Sequence, residues 1–184
     1  MAKRERGVQA LIQDNGLLVV DYPPEKRKAL EGLLEQSFEG WYLRHSKRTI
    51  RNIETVKAAL RSGAPVGLAM LKRLDEHYGY VFYIAVAMDE REKGVGGRLL
   101  DDALAHFGRL GMIGVYASVE EDNEASRELF QSRKFVRIGF GDESRKHGLV
   151  RALMMYRTMR VVPGEILLYR DLASHPLHTM GFRY

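Results

Sequence analysis

The 184-residue chain has no cysteine, a single tryptophan and no apolar run that approaches the length of a membrane span. The absence of cysteine excludes disulfide bonds, cysteine-ligated zinc and a thiol nucleophile. A helix needs roughly 20 consecutive apolar residues to cross a bilayer, so no membrane-spanning segment and no membrane partner are expected. The apolar stretch behind the basic N-terminus is too short for a signal peptide, which leaves the cytoplasm as the expected location. The histidines are spread along the chain, and no metal site is predicted.

The composition is that of a globular protein with a modest excess of basic residues. Hydrophobic residues make up 45% of the chain and charged residues 29%, which are ordinary values for a soluble domain. A chain of this length is expected to form one domain with its own core. The net charge of +5 favours an anionic ligand. Because the basic residues form no long Lys/Arg run, nucleic acid is not expected as a partner.

Hydrophobic periodicity predicts an α/β protein in which strands and helices alternate. Strands are expected at residues 17–20, 66–74, 80–88, 113–119, 136–140 and 149–159. Helices are expected at residues 25–38, about 53–63, 95–109 and after Asn123, with a loop at residues 40–49. These elements predict one domain over residues 1–160, followed by a tail at residues 161–184 that packs on the same domain and has no assigned role.

A glycine-rich turn between a strand and a helix is the most informative feature of the chain. An apolar run ends at Met88, and a Gly-Val-Gly-Gly turn at residues 94–97 then opens an amphipathic helix pattern. A helix N-terminus offers unpaired N–H groups and a partial positive charge, and glycines let the backbone approach an anion closely. The turn therefore predicts a phosphate cradle, although it lacks the Lys-Ser/Thr pair of a P-loop. The residues expected around the ligand are Val86, Met88, Arg91, Lys93, Gly94, Val95, Gly96, Gly97 and Arg98.

The spacing Arg91-x-x-Gly94-x-Gly96 resembles the [Q/R]-x-x-G-x-[G/A] motif of the GNAT superfamily of acyl-CoA N-acyltransferases. The resemblance implies a GNAT-like mixed, twisted and partly splayed sheet with helices on both faces. It also implies acetyl-CoA as the cosubstrate, with its pyrophosphate bound by the glycine turn. The turn would lie at the carboxyl end of the first strand of a right-handed βαβ unit, where α/β sheets commonly bind ligands.

Residues 123–135 extend the resemblance. Their sequence, NEASRELFQSRKF, is similar to the family's N-x-x-A-x-x-L-Y-x-x-x-G-F segment, which implies that Asn123, Ser126 and Phe130 lie beside CoA. Asn123 also suits the N-cap of the following helix, and the two roles are compatible. The stretch RALMMYRT at residues 151–158 is similar to the family's last strand. The resemblance covers about residues 50–160, and one early family strand, between Gly63 and Val66, is expected to be missing or shortened.

Two departures from the family pattern concern proton transfer. Phe130 stands where the family often has a tyrosine that protonates the departing CoA thiolate, and Lys134 replaces a glycine. Some members use a glutamate on the fourth strand as general base, whereas the matching strand here offers tyrosines and no carboxylate. A base or a desolvated site is required because an amine with a pKa of about 10.4 is neutral at only about 1 part in 2,500 at pH 7.

Several side chains near the ends of the two central strands could meet this requirement. Tyr83, Ser118 and Glu120 are the preferred catalytic candidates; the wider set adds Tyr80, Tyr116 and Glu121. The carboxylates can equally belong to a solvated helix entry, and the tyrosines to the core. A backbone N–H near residues 86–88 is expected to polarise the thioester carbonyl, as in an oxyanion hole.

An aromatic and basic segment between the first two predicted helices is the candidate acceptor site. The family commonly builds its acceptor site there, and a solvated loop with one packed tryptophan is the alternative. The candidate acceptor residues are Trp41, Tyr42, Arg44, His45 and, from a central strand, Tyr116. The expected partner is a small-molecule or peptide amine, and the protein is expected to be a monomer or a homodimer.

Together these features favour an N-acetyltransferase that moves acetyl from acetyl-CoA to an amine by direct attack in a ternary complex. Without cysteine, no covalent intermediate on a thiol is expected. An acyl-CoA-binding regulatory domain without turnover is the main alternative, favoured by Phe130 and by the missing strand carboxylate. A nucleic-acid-binding protein that uses the positive charge is a third interpretation, which predicts a steep dependence of binding on salt.

Overall fold

The computed structural model describes residues 16–173, which form seven strands and six α-helices around one mixed sheet. The strands are β1 (Leu17–Asp21), β2 (Thr55–Arg61), β3 (Ala64–Arg73), β4 (Tyr78–Val86), β5 (Gly114–Glu120), β6 (Val136–Ile138) and β7 (Glu165–Asp171). The α-helices are α1 (Glu31–Glu35), α2 (Gly40–Asn52), α3 (Val95–Arg109), α4 (Glu124–Gln131), α5 (Phe140–His147) and α6 (Leu149–Met159). Two 3₁₀ segments lie at Pro24–Leu30 and Met88–Glu90. Within residues 16–173, no helix is long and apolar enough to cross a bilayer.

The sheet is mixed and splayed at its centre. Its strand order is β1-β2-β3-β4-β5-β7-β6, and β4 and β5 are parallel whereas the other neighbours are antiparallel. The parallel pairing joins only residues 78–81 of β4 to residues 114–117 of β5. A register shift in the β3–β4 ladder coincides with the point where β4 leaves β5. The carboxyl ends of the two central strands therefore diverge and open a cleft at one edge of the sheet.

Apolar cores lie on both faces of the sheet, as the sequence predicts. Along β2, Ala58 packs with the residues of α1 and α2, whereas its neighbour Ala59 packs with the buried face of α3. This alternation follows from the two-residue period of a strand, which sends successive side chains to opposite faces. The predictions of a mixed sheet and of the helix α3 at residues 95–109 are confirmed. The predicted N-cap of α4 is also confirmed, because the Asn123 side chain accepts a hydrogen bond from the Ser126 N–H at 3.0 Å.

The prediction of a helix at residues 53–63 is wrong, because β2 occupies this segment. The early strand expected to be missing or shortened is therefore present. Ile53, Val56 and Leu60 fit a helical face, but Val56, Ala58 and Leu60 also share one face of a strand. Pairing with β1 on one side and β3 on the other decides the outcome. The long helix predicted at residues 25–38 is a 3₁₀ segment followed by the short helix α1.

Three further predictions are corrected in other parts of the chain. The strand predicted at residues 149–159 is the helix α6, whose buried residues Ala152, Met155 and Met159 have helical spacing. The loop predicted at residues 40–49 belongs to the helix α2. The tail that received no role contributes β7, which lies between β5 and β6 in the sheet. Residues 174–184 of that tail lie outside the described part of the chain.

Gly79 provides a test of how closely α3 packs on β4. A Cβ at Gly79 would lie 2.5 Å from the ring of Phe107, which is almost fully buried. We expect Gly79→Ala to lower the free energy of unfolding by about 1–3 kcal/mol, because the ring must move within a filled core. Gly108→Ala on α3 is the matched control, since its Cβ would meet nothing within 4 Å. Thermal unfolding of both variants measures the difference. Equal stabilities would contradict the close packing of Phe107 on Gly79.

Candidate active site

A cavity of about 900 Å³ occupies the cleft between the diverging ends of β4 and β5. It extends from the glycine turn at the start of α3 to the aromatic face of α2. The two ends of the cavity differ in charge and chemistry. We call the part around residues 94–97 the cradle, and the part around Trp41, Tyr42 and Tyr83 the acceptor end.

The cradle is built by the strand, turn and helix that the sequence predicts. Gly94 is the N-cap of α3 and has a φ of 80°, a left-handed conformation that glycine adopts without strain. At the start of α3, the Arg98 N–H donates a hydrogen bond to the Gly94 carbonyl at 3.0 Å. The N–H groups that precede it have no partner inside the helix, as at any helix start. No side chain caps this end, so its N–H groups and its partial positive charge face the cavity.

Two guanidinium groups line the cradle. Arg91 is held by hydrogen bonds to the carbonyls of Gln36, at 2.7 Å, and Val86, at 3.3 Å. Arg133 lies directly over Gly97, because a Cβ at Gly97 would clash with its guanidinium. Arg133 also pairs with Asp101 at 3.1 Å, which orients it. Both can donate to phosphate oxygens, and the planar guanidinium suits such contacts.

The other predicted basic residues of the cradle have different surroundings. Lys93 lies 3.7 Å from the nearly buried carboxylate of Glu90, which also pairs with Arg61 at 3.1 Å. Lys93 and Arg98 do not line the cavity, and the exposed Met88 side chain does not either. Val86, Gly94, Val95, Gly96 and Gly97 all line it, together with Asn123, Ser126 and Phe130 from the start and face of α4.

The acceptor end contains a chain of polar contacts that links α2, β4 and α6. His45 lies 2.8 Å from the Tyr83 hydroxyl through Nδ1 and 2.7 Å from the Arg160 guanidinium through Nε2. Because arginine only donates, Nε2 must accept, and Nδ1 then carries the proton and donates to Tyr83. Trp41 stacks on the imidazole with ring centroids 4.7 Å apart. The Tyr83 hydroxyl proton is consequently available to a group in the cavity.

Burial and the neighbouring charges keep these rings neutral near physiological pH. Burial, and then the positive charges of Arg160 and Arg48, lower the pKa of His45 below its ordinary value. Burial, followed by the negative charge of Glu165, raises the pKa of Tyr42 and of Tyr83 above the ordinary range of a phenol. The tyrosines are therefore hydrogen-bond donors and the imidazole is uncharged.

The preferred catalytic candidates Tyr83, Ser118 and Glu120 all line the cavity. The Ser118 hydroxyl lies 2.8 Å from the buried Tyr80 hydroxyl, so each side chain has a partner. Glu120 is exposed at the end of β5. Glu121 is paired with Arg137 at 2.8 Å and does not line the cavity.

Two of the predicted acceptor residues lie away from the cavity. Arg44 is exposed on α2 but does not line it. Tyr116 is fully buried, and its hydroxyl donates to Glu143 Oε2 at 2.6 Å in a separate cluster of aromatic side chains. Trp41, Tyr42 and His45 line the cavity, and their role in acceptor binding stays a prediction.

Part of the stretch expected to polarise the carbonyl is already engaged. The Ala87 N–H donates to the Val66 carbonyl at 2.9 Å, and the Met88 N–H donates to the Gln36 side chain at 3.0 Å. The expectation of an oxyanion contact from residues 86–88 therefore stays a prediction.

Sequence reasoning missed six charged residues that line the cavity, namely Glu90, Glu92, Glu128, Arg133, Arg160 and Glu165. Arg160 and Glu165 flank the connection between α6 and β7, which received no role because it lies far from the glycine turn in sequence. A strand pattern is present there, since Pro163-Gly164 precedes Glu-Ile-Leu-Leu-Tyr. In the described residues, no group of three or more histidine, aspartate and glutamate side chains is placed to hold a metal ion.

Comparisons with known proteins agree with this geometry. The acetyltransferase (GNAT) family profile matches residues 20–135. A mycothiol acetyltransferase from Geodermatophilus obscurus is 39% identical over 62 residues, which cover 34% of this chain and 20% of that protein. The chain thus spans about a fifth of the length of this curated relative.

Solved structures show the same fold at low sequence identity. Ard1 from Thermoplasma volcanium has a TM-score of 0.64 and 16% identity, covering 85% of this chain and 97% of that one. The PaiA N-acetyltransferase from Thermoplasma acidophilum, solved in complex with coenzyme A, has a TM-score of 0.63 and 11% identity, covering 84% and 98%. With a family profile matched over more than half of its length, the chain belongs to the acetyltransferase (GNAT) family.

Proposed function

We propose that this protein is an N-acetyltransferase that moves acetyl from acetyl-CoA to an amine, by direct attack in a ternary complex. The observation that carries the proposal is the single cavity that joins a phosphate cradle to an aromatic acceptor end. Direct transfer requires both substrates to be held together with their reacting atoms in contact, which a continuous cavity permits. A covalent enzyme intermediate on a thiol is unavailable to a chain without cysteine.

The cradle suits the pyrophosphate of acetyl-CoA. The unpaired N–H groups at the start of α3 and the guanidinium groups of Arg91 and Arg133 supply donors and positive charge to an anion. Asn123, Ser126 and Phe130 on the adjacent helix are proposed to flank the pantetheine arm and the thioester. The thioester carbonyl would then lie at the fork between β4 and β5, between the cradle and the acceptor end.

The acceptor end can bind and orient an amine. Trp41, Tyr42 and Tyr83 provide apolar contact surface and hydroxyl groups around the fork. The Tyr83 hydroxyl, positioned by His45, is proposed to donate to the acceptor or to the reacting carbonyl. The acceptor is a small-molecule or peptide amine, and the protein is a monomer or a homodimer.

Thiol release with a panel of amines tests the proposal. Acetyl-CoA and the protein are incubated with a polyamine, a lysine peptide, a peptide with a free N-terminus and simple primary amines, and free CoA is measured. Amine-dependent release of CoA, with acetylated amine found by mass spectrometry, is the expected result. Binding of CoA without release under any of these conditions would instead support an acyl-CoA-binding regulatory domain, the alternative that Phe130 favours.

A variant of Phe130 tests how the departing CoA thiolate is protonated. This residue is nearly buried, lines the cavity and packs edge-on against Phe135 with ring centroids 5.0 Å apart. We expect Phe130→Tyr to keep or raise kcat, because a hydroxyl at this position places an acid beside the leaving sulfur. Single-turnover and steady-state rates are to be compared with thermal stability. A large fall in kcat with unchanged stability would mean that the Phe130 ring packs against the acyl group.

A further inference from the structure

Glu165 is a carboxylate at the acceptor end that the sequence left without a role. It is the first residue of β7 and lies opposite Glu120 in the β5–β7 ladder, at the edge where the sheet opens. The Tyr42 hydroxyl donates to its Oε1 at 3.1 Å, and the Val162 N–H donates to its Oε2 at 3.2 Å. Each oxygen keeps further acceptor capacity, because a carboxylate oxygen accepts more than one hydrogen bond. The carboxylate is therefore fixed in place without being saturated.

The arginine that lines the same end of the cavity, Arg160, has another partner. Arg160 donates to His45 at 2.7 Å, and among the described residues no ion pair involves Glu165. Glu120 adds a second carboxylate to the same side of the cavity. Among the residues that line this end of the cavity, the two carboxylates of Glu120 and Glu165 outnumber the guanidinium of Arg160, and Arg48, whose charge also acts on His45, does not line it. This charge distribution fits a cationic group, whereas the cradle fits an anion.

We propose that Glu165 binds the ammonium group of the acceptor and takes its proton before the amine attacks the thioester. This inference rests on the proposed function and deepens it, because it assigns the substrate class as amines that are protonated at neutral pH. Trp41 and Tyr42, which face the same space, would contact the carbon skeleton next to the nitrogen. Tyr42 is a positioning residue, because it acts through the Glu165 carboxylate.

One N–H proton of the ammonium passes to the Glu165 carboxylate and leaves the nitrogen lone pair free. The nitrogen forms a bond to the thioester carbon and the carbon–sulfur bond breaks, so the sulfur leaves with the electron pair. A second proton from the nitrogen goes to the sulfur, directly or through water, which yields the amide and CoA. Glu165 then releases its proton to solvent, and the enzyme returns to its starting state.

The tyrosines and the histidine around Glu165 have pKa values shifted away from the range between pH 7 and pH 9, which makes the proposal testable by pH. Tyr42, Tyr80 and Tyr83 have pKa values raised first by burial, and the charge of Glu165 raises them further. Burial, and then the charges of Arg160 and Arg48, lower the pKa of His45. Over this range, the acceptor amine is therefore the group whose protonation changes, while Glu120 remains as the competing carboxylate.

The experiment compares Glu165→Gln with the parent, using the amine that the parent acetylates best. We expect kcat/KM of the variant to fall at least about 100-fold at pH 7, the usual contribution of a general base. The variant must use amine that is already neutral in solution, so its kcat/KM should rise about 10-fold per pH unit up to pH 9. The parental value should be nearly flat, because the parent binds the protonated form. Rates are corrected for enzyme-free thiol release, and CoA affinity is measured by calorimetry.

Glu120→Gln and Glu35→Gln complete the design. Glu35 pairs with Lys47 on α2, the helix that carries Tyr42, but does not line the cavity, so its variant should keep the parental profile. A loss in Glu165→Gln that is the same at every pH, or smaller than about 3-fold, would overturn the proposal. If the pH-dependent fall in kcat/KM occurs in Glu120→Gln and not in Glu165→Gln, the proposal is overturned and Glu120 is the base instead. If the parent binds CoA yet acetylates no amine, the proposed function itself fails, which differs from each of these outcomes.

Discussion

Gly96→Glu is expected to weaken CoA binding by more than about 100-fold while the fold is retained, because it places a carboxylate where phosphates must lie. Gly96 lies in the first turn of α3 and lines the cavity. A Cβ there would meet Leu129 at 3.5 Å and Val86 at 3.8 Å, which are ordinary contacts. The longer side chain would therefore extend into the cradle beside the N–H groups of the helix start, rather than disrupt the core.

Calorimetry with CoA measures this effect, and two further variants at the same position separate its causes. Gly96→Gln adds nearly the same volume without charge and is expected to weaken binding less than Gly96→Glu. Gly96→Ala adds one methyl group in a position without steric conflict and is expected to stay closest to the parent. Unchanged affinity in Gly96→Glu, with thermal unfolding like that of the parent, would remove the case for a phosphate cradle at this turn.

The features that the sequence predicted well are those encoded within one short segment. The strand before the glycine turn, the turn itself and α3 follow one another in about 30 residues, and each has a strong local pattern. The buried residues of α3, from Val95 to Phe107, repeat with helical spacing on one face. The cap formed by Asn123 is equally local, since it involves a side chain and an N–H three residues apart. Such features need no knowledge of the rest of the chain.

The segments predicted wrongly are those in which local pattern and tertiary pairing disagree. Residues 56–60, VKAAL, include good helix formers, yet β2 is bonded to a strand on each side, and that pairing outweighs helix propensity. Lys57 is almost fully buried there and lies 2.7 Å from Asp21 and 3.1 Å from Asp102, partners that no local pattern reveals. The exposed apolar residues of α6, such as Leu149 and Leu153, make that helix apolar on several sides and hide its period.

The two ends of the candidate site also differ in how well the sequence predicts them. The cradle residues near Gly94 are close in sequence, so a motif could identify them. The acceptor end joins Tyr42 to Glu165 and His45 to Arg160 across more than 110 residues of chain. Only the aromatic half of these contacts had a sequence signal. Their polar partners follow from the topology that inserts β7 beside β5, which the sequence did not predict.

Trp41→Ala is expected to raise the KM of the amine acceptor by about 10-fold or more, with CoA affinity nearly unchanged. The indole is 45% exposed, lines the cavity, stacks on His45 and contacts Tyr42 edge-on with ring centroids 5.1 Å apart. Its removal would take away contact surface for the acceptor and release the imidazole that positions Tyr83. The cradle would be little affected, because it belongs to a different segment of the chain.

Variants of two arginines on the same helix serve as comparisons for Trp41→Ala. The sequence alone suggested that Arg44→Ala would raise the acceptor KM as well, whereas the position of Arg44 outside the cavity lining predicts parental kinetics. Arg51→Ala, which removes only an exposed pair with Glu31, serves as the control for helix stability. Steady-state kinetics with the acceptor varied, and calorimetry with CoA, provide both constants. If Trp41→Ala also has parental acceptor kinetics, Trp41 does not contact the amine, and the acceptor is held by other residues of the same end, such as Tyr42 and Glu165.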